Sequence, residues 1–231
     1  LVLHIPKKIN FLLDFKMIKK LLLIGVPSGI ENSMFQLGKI LLLSLVSTFG
    51  TVEITANAVG NTIAAFEILP GTAMGLAMVT VISRCVGAGD YEQVRYYTRK
   101  LMKFAYMWMI VLNVIIMVLL PAITKIYKLS DATAVATIRI LVLHGVCCCL
   151  IWPLSFTLPN VLRAANDVKY TMIVGVCSMW LCRILVGVIL GKYVGLKAFG
   201  IWIAMIIDWC VRSAFFVARY FNGKWKDRKL I

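Results

Sequence analysis

Long apolar runs, separated by short polar stretches, form the main pattern along this chain. Two of these runs contain no Asp, Glu, Lys or Arg: Phe104–Thr124 has 21 residues and Ile140–Leu162 has 23. An α-helix needs about 20 apolar residues to cross the hydrocarbon core of a bilayer. The pattern therefore predicts that the chain spans a membrane several times.

Six stretches are long and apolar enough to be distinguished, and we predict one membrane-spanning helix for each. They cover residues 20–47, 57–83, 103–124, 132–158, 170–191 and 198–220. The predicted fold class is an all-α integral membrane protein in which six transmembrane helices form a bundle. The predicted organisation is a basic cytoplasmic lead at 1–19, a six-helix lobe at 20–221 and a basic cytoplasmic tail at 222–231.

Composition supports a membrane location, and the charges indicate an orientation. Hydrophobic residues make up 61% of the chain and the mean hydropathy is +0.89, whereas about half of an ordinary soluble domain is apolar even with Gly counted. The net charge is +15, but the 25 Lys and Arg residues mostly flank apolar runs, which argues against a nucleic-acid partner. Seventeen of them lie on the side of both termini and four on the opposite side. The positive-inside rule therefore predicts cytoplasmic termini, with the cell membrane bilayer as the surroundings.

Three carboxylates lie inside predicted spans, where a charge is costly. Glu31 lies about 11 residues beyond Lys20, or roughly 16 Å, close to the middle of a core of about 30 Å. Glu67 and Asp208 also lie well inside their spans. An ionisable group at such depth marks a candidate functional site, although a structural ion pair is the alternative for each. An uncompensated carboxylate there can take up a proton, bind Na⁺ or attract an organic cation.

The helical positions around Glu31 supply further candidate residues. Ser28 and Phe35 share a helix face with Glu31, while Lys39 and Gln36 lie farther around the helix. Glu31 is the candidate for the cation- or proton-coupling site. The candidates for a substrate cleft are Ser28, Phe35, Gln36, Lys39 and Glu67.

The remaining charges inside the spans are interpreted as structural. Asp208 and Arg212 are four residues apart on one helix, so we predict that they form a charge pair. Arg183 also needs a partner, for which Glu67 and Asp208 are the candidates. His144 lies in an apolar stretch, and with only His4 as a second histidine we expect a satisfied core histidine rather than a metal ligand.

Proline and aspartate mark expected breaks and corners. Pro27 is expected to interrupt the first span, Pro70 the second and Pro153 the fourth, because proline removes a helix hydrogen bond. Asp90 and Asp167 each follow small residues at a corner. Each is therefore expected to cap the helix that begins after it.

Signatures of enzymes and of cofactor sites are missing from the sequence. It contains no HExxH, no GxSxG and no phosphate-binding GxxxxGK. The seven cysteines fit neither a disulfide framework nor a spaced zinc motif. We therefore predict no enzyme activity, no metal and no cofactor.

Four segments resemble the multidrug and toxic compound extrusion (MATE) family of secondary transporters. They are GVPSGIENSMFQLGK (25–39), NAVGNTIAAFEILPGTAMGLAMVTVISRCVGAGD (57–90), VLRAAND (161–167) and GIWIAMIIDWCVR (200–212). The resemblance implies the C-terminal six-helix lobe of a twelve-helix transporter, with the lead as a linker from an N-terminal six-helix lobe absent from this chain. It also implies a V-shaped cleft that alternates between the two sides of the membrane. Such a transporter exports small organic cations in exchange for H⁺ or Na⁺.

The resemblance also suggests roles and leaves alternatives open. Glu31 lies in the helix that carries a coupling glutamate in some members, whereas the run Ile140–Leu162 lacks the acidic residue that some members have in the matching helix. The leading interpretation is half of a cation-coupled multidrug antiporter. A related flippase for lipid-linked oligosaccharide precursors is the second, and an intramembrane enzyme is the third. The charge of the cleft separates the first two, because an acidic cleft favours organic cations and a basic one favours lipid phosphates.

Overall fold

The computed structural model describes residues 14–226, and every regular element in that part of the chain is helical. The first four helices are α1 (Phe15–Ser47), α2 (Thr51–Glu67), α3 (Leu69–Gly87) and α4 (Tyr91–Ile126). The next four are α5 (Asp131–Trp152), α6 (Pro159–Ala164), α7 (Val168–Ser178) and α8 (Val186–Val188), and the chain then forms α9 (Lys197–Phe221). The chain also forms three π-helical segments, Pro153–Thr157, Met179–Leu185 and Ile189–Tyr193.

The lengths and apolar character of these helices confirm the all-α membrane fold predicted from the sequence. Within residues 14–226, five helical stretches are long and apolar enough to cross a bilayer: Leu69–Gly87, Tyr91–Ile126, Asp131–Ala164, Val168–Tyr193 and Lys197–Phe221. The helix α1 has 33 residues, so it extends about 50 Å and is also longer than a hydrocarbon core of about 30 Å. Residues 1–13 of the predicted lead and 227–231 of the predicted tail lie outside the described residues.

The prolines act differently in the three predicted breaks. Pro27 lies inside α1, which continues through it, so the predicted interruption there is wrong. The fixed φ of proline is compatible with a helix, and one lost hydrogen bond does not end a helix of this length. The second break is confirmed, because the chain changes helix at Ile68, just before Pro70. Pro153 begins a π-helical segment instead of ending the pass.

The two aspartate corners also differ. Asp90 accepts a hydrogen bond from the backbone N–H of Gln93 at 3.0 Å, and Gly89 before it has a φ of +71°, so this cap is confirmed. The predicted side-chain cap by Asp167 is wrong. Its carboxylate instead accepts hydrogen bonds from Arg219 Nε at 2.7 Å and Nη2 at 3.2 Å. The aspartate therefore ties the start of α7 to the end of α9.

An aromatic layer of four side chains, Phe35, Trp152, Phe156 and Trp209, lies inside the lobe. Phe156 is at its centre, because its ring stacks on Trp152 with 5.1 Å between the centroids and meets Phe35 and Trp209 edge-on at 6.4 and 6.2 Å. Aromatic pairs favour these offset and edge-to-face geometries. The layer joins α1, α5, α9 and the π-helical segment Pro153–Thr157, and it separates two groups of charged residues.

Candidate functional site

Glu31 does not lie alone in the membrane. Its Oε1 accepts a hydrogen bond from Arg163 Nη2 at 2.7 Å, and Arg163 Nη1 donates to Asn160 Oδ1 at 3.1 Å. The side chains of Glu31 and Arg163 are 12% and 28% exposed. Of the two alternatives kept open for Glu31, the structure shows the ion pair, because an arginine at the end of α6 binds its carboxylate.

The structure also shows where Glu31 lies along the bundle. A Cβ atom added to Gly175 would be 2.7 Å from Glu31 Oε1, so the carboxylate lies directly against that glycine. Gly175 is seven residues into α7, which is about 10 Å along the helix axis. Glu31 thus lies between the corner that joins α6 to α7 and the middle of the pass Val168–Tyr193.

Glu67 has a histidine as its partner instead. Its side chain is fully buried at the end of α2, and its Oε2 forms a hydrogen bond with His144 Nδ1. The backbone carbonyl of Glu67 accepts a hydrogen bond from Asn113 Nδ2 at 3.1 Å. The imidazole of His144 is held edge-on against Trp202 and Trp209, with ring centroids 5.2 Å apart in both pairs. A carboxylate and an imidazole in direct contact can share or exchange a proton.

Two oxygens beside this pair have no hydrogen-bond partner in the described part of the chain. They are Glu67 Oε1 and Asn113 Oδ1, and both are buried. Each lies 3.3 Å from the position that a Cβ of Gly145 would occupy. Both oxygens therefore lie close to Gly145, where the terminal methyl carbon of Met117 is nearer still, at 2.6 Å from the same position.

On the other side of the aromatic layer, Asp208 and Arg212 form the pair that their spacing predicts. Arg212 Nε lies 2.8 Å from Asp208 Oδ1, and both side chains are buried. Ser178 Oγ donates to the same carboxylate oxygen, and Arg212 Nη2 donates to the carbonyl of Gly175 at 2.9 Å. The pair therefore holds α9 against α7.

Phe35 brings three cations together. Lys39 Nζ lies 5.0 Å from the centroid of its ring, and the guanidinium carbons of Arg183 and Arg212 lie 5.3 and 5.5 Å from it. The Nε atom of Arg183 is buried and has no hydrogen-bond partner among the described residues. Of the two partners proposed for Arg183, Glu67 is paired with His144 and Asp208 is paired with Arg212.

Lys39 and Arg183 line a cavity of about 310 Å³ between α1, α2, α9 and the π-helical segment Met179–Leu185. The other lining residues are Leu42, Leu43, Val46, Asn57, Asn61, Ile201, Trp202 and Met205. None of the described residues that line this cavity is acidic. We call it the basic cavity.

The basic cavity contains only part of the predicted substrate cleft. Lys39 lines it and Phe35 lies beneath the two cations, but Glu67 does not line it and is paired with His144. Ser28 and Gln36 lie on α1 and do not line the cavity. Within residues 14–226, no group of three or more His, Cys, Asp or Glu side chains is placed to hold a metal ion.

Three polar residues of these sites were not predicted from the sequence. Arg163 was assigned to a corner, and neither Asn113 nor Asn57 was singled out. Asn57 and Asn61 stand one helical turn apart in an apolar run, which is a signal that the sequence does contain. Trp202 Nε1 donates to Asn57 Oδ1 at 3.0 Å and so fixes this wall of the basic cavity.

Comparison with known proteins gives consistent matches over most of the chain. The family model MatE matches residues 27–189. "Probable multidrug resistance protein NorM" of Thermotoga maritima is 24% identical over 213 residues, which cover 92% of this chain and 46% of that protein.

Two solved structures have the same fold at low sequence identity. One is described as "Outward-facing conformation of a multidrug resistance MATE family transporter of the MOP superfamily"; its TM-score is 0.77 at 19% identity, over 92% of this chain and 47% of that one. The other, "Crystal structure of MATE in the bent conformation", has a TM-score of 0.82 at 18% identity, over 94% of this chain and 48% of that one. The chain thus spans about half the length of the proteins it matches.

Proposed function

This chain belongs to the MATE family of transporters, and from that premise we propose that it is the C-terminal half of an ion-coupled multidrug exporter. The observation that supports this most directly is the match of one six-pass lobe to about half of a relative named as a multidrug resistance protein. In this proposal an N-terminal lobe supplies the second wall of the cleft, and transport proceeds by alternating access across the cell membrane.

We assign proton coupling to the Glu67–His144 pair rather than to Glu31. Arg163 stays protonated at any pH that a protein experiences, so the charge next to Glu31 is fixed. An imidazole, unlike a guanidinium, can gain or lose a proton in the physiological range, and the carboxylate that contacts His144 is fully buried. A site that must load and release a proton needs a partner of this second kind.

The Glu67–His144 pair lies at a break between two helices, so its protonation can affect the conformation of the lobe. Glu67 is the last residue of α2, and the chain changes helix at Ile68 immediately after it. A buried pair with net negative charge is costly in a low-dielectric interior, whereas the same pair with one more proton is neutral. Protonation therefore favours conformations that keep the pair dry, and deprotonation favours those that open it to water.

Proteoliposomes that contain the complete two-lobe transporter test this assignment. With an imposed pH gradient, Glu67→Gln is expected to reduce export of a fluorescent drug to the level of empty vesicles, because the amide keeps the size of the side chain but cannot titrate. Glu53→Gln is the matched control, since Glu53 is on the same helix and accepts a hydrogen bond from the backbone of Ala198 at 3.3 Å. Unchanged proton-driven export by Glu67→Gln would remove this pair from the coupling mechanism.

A further inference from the structure

Within residues 14–226, the basic cavity carries more positive charge than the groups around it neutralise. Three cations, from Lys39, Arg183 and Arg212, lie over the ring of Phe35. The carboxylate that accompanies them is Asp208, whose Oδ1 is bound by Arg212 and Ser178. The four charged groups thus leave an excess of two positive charges beside an apolar interior.

The ring of Phe35 supports these cations but cannot neutralise them. A cation over an aromatic face is stabilised by the ring quadrupole, and the net charge of the group is unchanged. Charges inside a membrane protein normally pair with an opposite charge or face a cavity. The cationic groups of Lys39 and Arg183 do line a cavity, and Arg183 Nε has no acceptor within the described residues.

The walls of the cavity determine what else a ligand must contain. Leu42, Val46 and Ile201 supply aliphatic surface, while Trp202 is fixed by its hydrogen bond to Asn57. The volume of about 310 Å³ is at the lower end of the range for small-molecule sites. A ligand that fits must be partly apolar and must present a group that accepts hydrogen bonds from cations.

We infer that the basic cavity binds the anionic end of an amphipathic molecule, with a carboxylate, sulfonate or phosphate placed between Lys39 and Arg183 and an apolar part against Trp202. This inference deepens the proposed export function by naming the class of its cargo. It differs from the organic cation that the family resemblance implies, because a cation in this cavity would meet two like charges. The anion can belong to a soluble compound or to a lipid headgroup.

A matched pair of fluorescent probes tests the charge preference directly. Dansylglycine carries a carboxylate, and a dansyl derivative with a quaternary ammonium carries the same ring system with the opposite charge. Equilibrium dialysis against the complete transporter in phosphatidylcholine nanodiscs is expected to show tighter binding of dansylglycine. Lys39→Gln and Arg183→Gln should each weaken that binding about tenfold or more, since each removes a charged hydrogen-bond donor.

Arg139→Gln is the matched control. Arg139 is also an arginine within a membrane-spanning helix, with its guanidinium carbon 4.0 Å from the ring centroid of Phe199, but it does not line the basic cavity. Its replacement should leave dansylglycine binding unchanged. Because Lys39 is exposed, Lys39→Gln is expected to fold normally. It therefore still tests the inference if Arg183→Gln fails to fold. Tighter binding of the ammonium probe, or full dansylglycine binding by Lys39→Gln, would overturn the inference.

Two further experiments complete the test. One distinguishes a soluble anion from a lipid headgroup, and the other distinguishes this inference from the proposed export function. If the site takes a lipid headgroup, nanodiscs that contain phosphatidylglycerol should displace dansylglycine. If the site takes a soluble anion, dansylglycine should stay bound. Both outcomes apply only when dansylglycine binds more tightly than the ammonium probe. Binding is measured without transport. Selective anion binding with no export of any compound would contradict the proposed function alone, and drug export without selective anion binding would contradict this inference alone.

Discussion

Glu31 and Glu67 are both glutamates in membrane-spanning helices, yet their partners give them different chemistry. Glu31 is bound by Arg163, at the end of α6 beside a corner of the bundle. Glu67 is fully buried and bound by His144 between two tryptophans. Depth in the membrane alone does not distinguish these two carboxylates. The side chain that each one meets determines whether it holds helices together or can exchange a proton.

Among the substitutions that test the difference between the two glutamates, His144→Gln is expected to have the largest effect on proton-driven export. Glutamine can still form a hydrogen bond with Glu67 but cannot take up a proton, so the pair loses its titratable partner. We expect proton-driven export to fall to a small fraction of the original at every pH tested. Export rates in proteoliposomes at a series of internal pH values measure this. A variant with the original pH profile would show that His144 is only a packing residue.

The second effect concerns stability, at the other glutamate. Arg163→Gln leaves Glu31 without its cation, and we expect a loss of about 1–3 kcal/mol in the free energy of unfolding. Glu31→Gln combined with Arg163→Gln should recover part of that loss, because neither variant side chain is charged. Thermal unfolding in detergent compares the two single variants with the double variant.

Transport separates the same two glutamates. Glu31→Gln should keep proton-driven export and its pH profile, since the pair with Arg163 is structural in our assignment. Loss of that export by Glu31→Gln, in protein that still reaches the membrane, would return the coupling role to Glu31, as the sequence-based hypothesis had it.

The smallest effects are expected at the glycines that touch each carboxylate. A Cβ at Gly145 would lie 2.6 Å from Met117 Cε and 3.3 Å from Glu67 Oε1, so Gly145→Ala should crowd the buried pair and shift the pH midpoint of export. A Cβ at Gly175 would lie 2.7 Å from Glu31 Oε1, so Gly175→Ala should displace the carboxylate and cost about 1 kcal/mol in stability. The same pH midpoint in both variants would contradict the distinction between the two sites.

Local features of the sequence predicted the helices and several of their ends. Six apolar stretches, the cap at Asp90 and the break before Pro70 all depend on residues within a few positions of each other. The spacing of Asp208 and Arg212 also placed them in contact, because one helix determines their geometry. The family was predicted for the same reason, since its motifs are continuous segments, three of which lie in or overlap the residues 27–189 that the family model matches.

The partners of the two glutamates could not be predicted in this way. Arg163 is 132 residues from Glu31 and His144 is 77 residues from Glu67, so each contact depends on how separate helices pack. Asp167 shows the same limit, because its local position predicted a cap while Arg219, 52 residues away, binds its carboxylate. Local patterns gave the positions of charged residues along the helices but did not specify which charges meet.

The π-helical segment Met179–Leu185 gives this lobe a means of turning a side chain without moving the ends of a helix. A π-helix closes its hydrogen bonds over five residues and so holds surplus backbone relative to an α-helix. If the extra residue of the π-helical turn shifts along the chain by one position, the side chain at the position it passes rotates by about 100° about the helix axis. Arg183 lies within this segment, so such a register shift would carry its guanidinium toward or away from the basic cavity while Val168 and Tyr193 stayed in place. Capture and release of a ligand would then require only a shift of hydrogen-bond register within this π-helical segment. The surrounding helices would not have to move.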